Sequence, residues 1–95
     1  MELSKRLRMN ASFVTPGNRL ADVGTDHGYV PLCLCREKKI PSAIAMDINK
    51  GPLERAKSHI AEAGLTAYIE TRLSDGLHEL KRGEADTVLI AGMGG

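Results

Sequence analysis

These 95 residues predict a parallel α/β fold wound as successive right-handed crossovers in one open sheet, on three observations. Short apolar runs alternate with amphipathic stretches of helical period. A glycine-punctuated turn joins the first such run to the stretch that follows it. No internal repeat, low-complexity tract or linker interrupts the series. The expected strand order is 3-2-1-4 with flanking helices, preceded by an N-terminal helix, and the ligand belongs at the carboxyl ends beside strand 1.

The first segment spaces Leu3, Leu7, Ala11 and Val14 at helical intervals and keeps Lys5, Arg6, Arg8 and Ser12 on other faces, until Thr15-Pro16-Gly17-Asn18 stops it. Leu20 to Val23 reads as a short buried strand. The turn Gly24 to Gly28 follows, and then a helix whose early Pro31 suits a first turn. Ala43 to Met46 is a second buried strand. Pro52 opens a second helix with Leu53, Ala56, Ile60 and Ala63 on one stripe, and Gly64 is its natural stop. Ala67 to Leu73 alternates, with Ile69, Thr71 and Leu73 on one side. Thr87 to Ala91 is a continuous apolar run of the kind buried on both faces of a parallel sheet. Between them, Leu77 and Leu80 suggest only a short helix.

Composition bounds the reading. With 42% apolar residues the chain can build one small core, hence one domain or part of one, and a net charge of +1 supplies no global field that would announce nucleic acid, a membrane or an acidic ligand. No run is long and apolar enough to span a membrane. Met1 to Asn10 mixes charges with leucines, unlike a signal peptide, so a cytoplasmic location is expected. Cys33 and Cys35, two apart on a helix, diverge by roughly 200° and have no further cysteine to build a zinc site with. They are expected to be buried or half-buried free thiols. His59 and His78 lack metal-ligand spacing and read as surface or packing residues, so no metal is expected.

The chemistry gathers at strand ends. Asp22-Val23-Gly24-Thr25-Asp26-His27-Gly28 places small residues and free amides where a helix N-terminus opens on the switch point. The dinucleotide pattern G-x-G-x-x-G fails here, because Asp26 stands at the second glycine and would repel a pyrophosphate. The same acids suit a ligand carrying an ammonium and a sulfonium, as S-adenosylmethionine does. The competing reading is a glycine turn required only by backbone geometry. Asp47 ends strand 2 nineteen residues beyond Gly28, close to the spacing at which an acid meets adenosine ribose hydroxyls. Its competing reading is a solvated cap of the following helix. In the turn Ser74-Asp75-Gly76, Asp75 can accept a hydrogen bond from an adenine amine, or simply cap a helix over Leu77 to Leu80. Ala91-Gly92-Met93-Gly94-Gly95 enters a glycine-rich loop that lets a substrate approach the backbone. His27 and Tyr29 flank the pocket and could position an incoming base; Asp26, His27 and Tyr29 are the candidate catalytic residues.

In order, the segments DVGTDHGYVP, AMDINKGPLERA, RLSDGL and IAGMGG, with LSKRL in the first helix, resemble the bacterial tRNA adenine-N1 methyltransferases that modify position 22 in the D-loop. The resemblance covers nearly the whole chain. It implies a Rossmann-like class I methyltransferase fold, of which these residues form the N-terminal half. It also implies S-adenosylmethionine as methyl donor and N1 of a tRNA adenine as acceptor. By motif position it places Asp22, Gly24, Asp26 and Gly28 around the methionine end, Asp47 at the ribose and Asp75 at the adenine. Gly92 with Met93 would floor the transfer site, and Ile48, Gly76 and Ala91 complete the cofactor-binding set. Many members carry a glutamate at the position of Asp47. Lys5, Arg6 and Arg8 are the candidate phosphate contacts, against the reading of a solvated helix face. Members of the family continue into further strands and a helical, coiled-coil-like domain that helps hold tRNA. Residues 1–95 are therefore expected to be a truncated cofactor-binding part, inactive alone, with Val88 to Ile90 on an open apolar edge. Two rivals stay open: a module that holds S-adenosylmethionine or RNA without turnover, and a nicotinamide-dependent oxidoreductase, which Asp26 disfavours.

Overall fold

The computed structural model describes residues 5–12, 14–25 and 28–90. The expectations placed on Leu3, Asp26, His27, Ala91, Gly92 and Met93, and on the side chain of Arg6, lie outside the described residues. Within them the chain forms helix α1 (Lys5–Ser12), strand β1 (Leu20–Val23), α2 (Tyr29–Arg36), β2 (Ala43–Asp47), α3 (Lys50–Glu62), β3 (Ile69–Leu73) and β4 (Thr87–Leu89). The strands are parallel in the order β3-β2-β1-β4, as expected, with Leu20 beside Ala43 and Thr87, and Ala43 beside Ile69.

Strand alternation divides the core in two. Leu20, Ala43, Ala45 and Ile69 lie in one apolar layer with Ala11 of α1, Val30 and Leu34 of α2, and Ala56 and Ile60 of α3. Ala21, Val23, Ile44 and Met46 form the other, which Leu80 and Ala85 of the β3–β4 connection cover. The central strands β1 and β2 are buried along their whole length, so an alanine-rich sequence suffices there and lets the helices approach closely.

Three expectations are corrected. β4 is not buried on both faces: Val88 is 43% and Ile90 42% exposed, because β4 hydrogen-bonds only to β1 among the described strands and Val88 lies on the face away from the helices. No helix forms over Leu77 to Leu80. The segment is a run of turns closed by bonds three residues apart, His78 N–H to the Asp75 carbonyl at 3.1 Å and Leu80 N–H to the Leu77 carbonyl at 3.0 Å. Gly76, at φ +60°, breaks any helical path there. β3 begins at Ile69, two residues later than the alternation implies, because the Tyr68 N–H turns back to the Leu65 carbonyl.

Side chains hold the turn-rich connection down. Arg72 of β3 donates to both carboxylate oxygens of Glu84, at 2.7 and 2.9 Å, to Glu70 at 2.6 Å and to the Glu79 carbonyl at 2.9 Å. Arg19 grips Asp86 through two bonds of 3.1 Å and so ties the start of β1 to the start of β4. These guanidinium bonds hold the Glu84 and Asp86 carboxyls down to about 2, and both arginines are pushed further up.

Helices α2 and α3 end in the same way at the amino edge of the sheet. After α3, Gly64 takes φ +71°, its N–H bonds the Ala61 carbonyl and Leu65 N–H the Ile60 carbonyl, which is the Schellman arrangement. After α2, Lys38 takes φ +58°, its N–H bonds the Cys35 carbonyl and Lys39 N–H the Leu34 carbonyl. A lysine therefore occupies a left-handed position that a glycine fills without steric cost.

Candidate functional site

The carboxyl ends of β1, β2 and β3 meet at one edge. From β1 the chain enters Gly24 at φ +72°, and Thr25 N–H bonds the Met46 carbonyl at 2.8 Å, which anchors the loop to β2. The Thr25 hydroxyl donates to Asp22 Oδ2 at 2.9 Å, with Asp22 only 1% exposed. Asp22 thus sits beneath the loop and shapes it. Gly28 closes the loop at φ +72° and precedes the first residue of α2; a Cβ there would stand 3.0 Å from Ala56 Cβ of α3. The glycine is therefore required twice, by its backbone angle and by the close approach of α3.

Asp47 is the last residue of β2 and is 7% exposed. Its Oδ1 accepts the Asn49 N–H at 2.9 Å, while α3 begins at Lys50 behind Asn49. Burial and this bond correct the solvated-cap alternative. The carboxylate bends the chain out of the strand instead, and it leaves Ile48, 59% exposed, at the edge. The backbone of the third turn is tied to the second: Ser74 N–H bonds the Asp47 carbonyl at 2.9 Å. The buried Ser74 hydroxyl donates to the Gly76 carbonyl at 2.8 Å and accepts Glu79 N–H at 3.1 Å, so Ser74 closes this run of turns and there is no helix for Asp75 to cap. Asp75 is exposed beside Gly76.

The structure thus brings Asp22, Gly24, Gly28, Asp47, Ile48, Asp75 and Gly76 to one edge. Tyr29 is half-buried, and its ring stacks on His59 of α3 with centroids 5.2 Å apart and planes 18° from parallel. His59 is accordingly a packing residue. Lys5 and Arg8 are exposed on α1. Sequence reasoning did not select Thr25 and Ser74, the buried hydroxyls that shape the two outer turns. Their only signal was a hydroxyl residue beside an acid in each turn. Cys33 is half-buried and Cys35 buried, both free, and burial pushes the Cys35 thiol up to about 11. Among the described residues no group of three or more His, Cys, Asp or Glu side chains could hold a metal, and no helix is long and apolar enough to cross a membrane.

An edge with acids at two strand ends, an apolar side chain beside one of them and a glycine turn opposite can take a cationic ligand that has a flat apolar part. Known proteins are similar to this chain in sequence and in fold. The model of the methyltransferase domain family matches residues 3–95. The tRNA (adenine(22)-N(1))-methyltransferase of Bacillus subtilis (strain 168) is 43% identical over 95 residues, all of this chain and 40% of the relative. A Streptococcus pneumoniae structure, a putative tRNA (m1A22) methyltransferase in complex with S-adenosyl-L-methionine, superposes with a TM-score of 0.92 at 40% identity. It covers 98% of this chain and 44% of the other. M. capricolum TrmK in complex with S-adenosyl-homocysteine gives a TM-score of 0.81 at 40% identity, over 88% of this chain and 37% of the other. The chain therefore spans about two-fifths of the length of these relatives. The resemblance read from the motifs agrees with their names. With the strand order and the glycine turn already in place, the match across residues 3–95 means that this chain belongs to the methyltransferase domain family.

Proposed function

We propose that the chain is the S-adenosylmethionine-binding part of an enzyme that methylates N1 of an adenine in tRNA, at position 22. The observation that carries this is the meeting at one carboxyl edge of the Gly24 to Gly28 turn, the buried Asp47 with exposed Ile48, and the exposed Asp75. The donor set fits the cofactor. Gly24 and Gly28 supply the two positions without a side chain at the ends of the turn for the methionine end, and the acidic edge favours its ammonium and sulfonium. Asp47 is at the place for the ribose, Ile48 for an apolar ring contact and Asp75 for the adenine amine. When bound, S-adenosylmethionine supplies the electrophilic methyl group.

The remaining work of the chain is positioning. Neutral adenine already presents a lone pair at N1, so no side chain must first remove a proton. Alignment of two bound reactants is worth about 7–11 kcal/mol in favourable cases. Asp26 and His27 belong to this reading by their place in the loop sequence, Asp26 as the carboxylate that steadies the positive product. Gly92 and Met93 belong to it as the floor of the transfer site. Tyr29, held against His59, supports the loop from its first helical turn. Lys5, Arg6 and Arg8 contact tRNA phosphates, and the cytoplasm is the compartment that supplies the substrate.

Isothermal titration with S-adenosylmethionine, paired with methyl transfer to unmodified tRNA and to tRNA lacking adenine at position 22, tests the reading on the intact protein. Binding with transfer only to the adenine-containing RNA is expected. Binding without transfer would leave a cofactor-holding module, and no binding would remove the proposal.

A further inference from the structure

A second site lies at the opposite edge of the sheet. An open cleft of about 930 Å³ is lined by Pro16 and Gly17 before β1, by Cys35, Arg36, Lys38, Lys39, Ile40 and Pro41 between α2 and β2, and by Leu65 and Tyr68 before β3. All these segments lie at the amino ends of the strands or at the end of a helix that returns there, so the length of the strands separates the cleft from the acidic carboxyl edge. Its floor is apolar, with Cys35 and Ile40 buried. Its charged lining is cationic throughout. Glu37, between Arg36 and Lys38 in sequence, does not line it and is paired with Lys39 at 3.3 Å. Arg36 and Lys38 are exposed and make no ion pair among the described residues.

Two details mark the cleft as more than a gap between loops. Lys38 holds the left-handed position at the end of α2 that Gly64 fills at the end of α3. A glycine would satisfy the same backbone bonds at lower steric cost, so the turn itself does not require the lysine at this position. Of the two tyrosines, Tyr29 is stacked on His59, whereas Tyr68 is 54% exposed on the cleft. An exposed aromatic face flanked by unpaired cations is the chemistry that binds a nucleotide of an unpaired strand, its base on the ring and its phosphate on the cations.

We infer that this cleft is an RNA-binding subsite for an unpaired nucleotide of the tRNA substrate, with Tyr68 stacking on the base and Arg36 and Lys38 contacting the adjoining phosphates. The inference rests on the function proposed above. A folded RNA longer than the 29 Å extent of this chain can place its target base at the carboxyl edge and still reach the amino edge. The cleft would then add affinity and register without touching the methyl transfer itself.

The test uses the intact protein, with tRNA binding read by fluorescence anisotropy across a salt series and S-adenosylmethionine binding read by calorimetry. Arg36→Gln with Lys38→Gly should weaken tRNA binding tenfold or more near 0.1 M salt and flatten the slope of log K against log salt by about 1–2. Tyr68→Ala should weaken it about five- to a hundredfold with the slope unchanged. Lys38→Gly alone should melt no lower than the parent, since it relieves the left-handed backbone, and should still lose tRNA affinity; this separates a binding role from a structural one. Cofactor affinity should stay the same throughout. Unchanged tRNA affinity and slope in these variants would overturn the subsite while leaving the proposed function intact. A parent protein that binds no tRNA would remove both.

Discussion

At the carboxyl edge of the sheet two short acidic side chains are buried, Asp22 at 1% and Asp47 at 7% exposure, and Asp75 stands exposed beside them. At the amino edge Arg36 and Lys38 are long, cationic and exposed. The first edge is built by hydrogen bonds: Thr25 to Asp22, Asn49 to Asp47, Ser74 to its own turn. The second is built by backbone turns that leave the side-chain ends in water. A buried, bonded carboxylate has little freedom left to lose when a small ligand binds, which suits orientation of reactants. Solvated cations on flexible stems adapt to a phosphate chain whose exact position varies. The two edges therefore suit different partners, one small and held rigidly, the other large and held by charge.

The largest expected effect tests how far the acidic edge depends on close packing. Gly28→Ala forces a left-handed alanine and brings its Cβ to 3.0 Å from Ala56 Cβ. The two costs together should destabilise the protein by about 2–4 kcal/mol in denaturant unfolding. A midpoint within error of the parent would show that α2 and α3 can separate freely, and the preorganised edge would lose its basis.

A smaller effect, confined to the ligand, is expected at Asp47. Asp47→Ala should weaken S-adenosylmethionine binding by about 1.5–3 kcal/mol, ten- to over a hundredfold. Asp47→Asn keeps an acceptor for the Asn49 N–H but loses the charge, so it should bind better than the alanine variant and worse than the parent. Equal calorimetric affinities for all three would take Asp47 out of the ligand site.

The smallest effect concerns the ion pairs of the β3–β4 connection. The Glu84 and Asp86 carboxyls are held at about 2, below their ordinary values of 4.5 and 3.8, by Arg72 and Arg19. Because the folded value is the lower one, their stabilisation is present above the ordinary carboxylate range and is lost as pH falls toward 2. Melting temperature should therefore be insensitive to these groups above about pH 5 and should decline below it. Arg72→Met should reduce that decline. An unaltered pH profile in the variant would mean that the pair does not hold the β3–β4 connection in solution.

Much of this was legible in order along the chain. Strand order followed from alternating short apolar runs and helical stripes, since a parallel pair needs a crossover between its strands. The ends of α3 at Gly64 and of the first loop at Gly28 followed from local backbone chemistry. The misreadings fell where local pattern and tertiary setting disagree. Thr87 to Ala91 reads as a doubly buried strand, yet Val88 and Ile90 are exposed, because burial depends on what packs above a strand. Leu77 and Leu80 have helical spacing, yet Gly76 and the Ser74 hydroxyl turn the segment, and Leu80 reaches the core from a turn.

By itself the sequence determined the period of each element, the glycines at the turns and the order in which acids arrive at strand ends, all of which depend on neighbours a few residues apart. Only the tertiary structure decided which of those residues share a wall. The acidic edge joins three turns that the chain reaches one crossover at a time, and the basic cleft joins Pro16 and Gly17, residues from Cys35 to Pro41 other than Glu37, and Leu65 with Tyr68. No local pattern relates these segments. They meet because parallel strands return every crossover to the same edge, so each strand contributes its beginning to one surface and its end to the other.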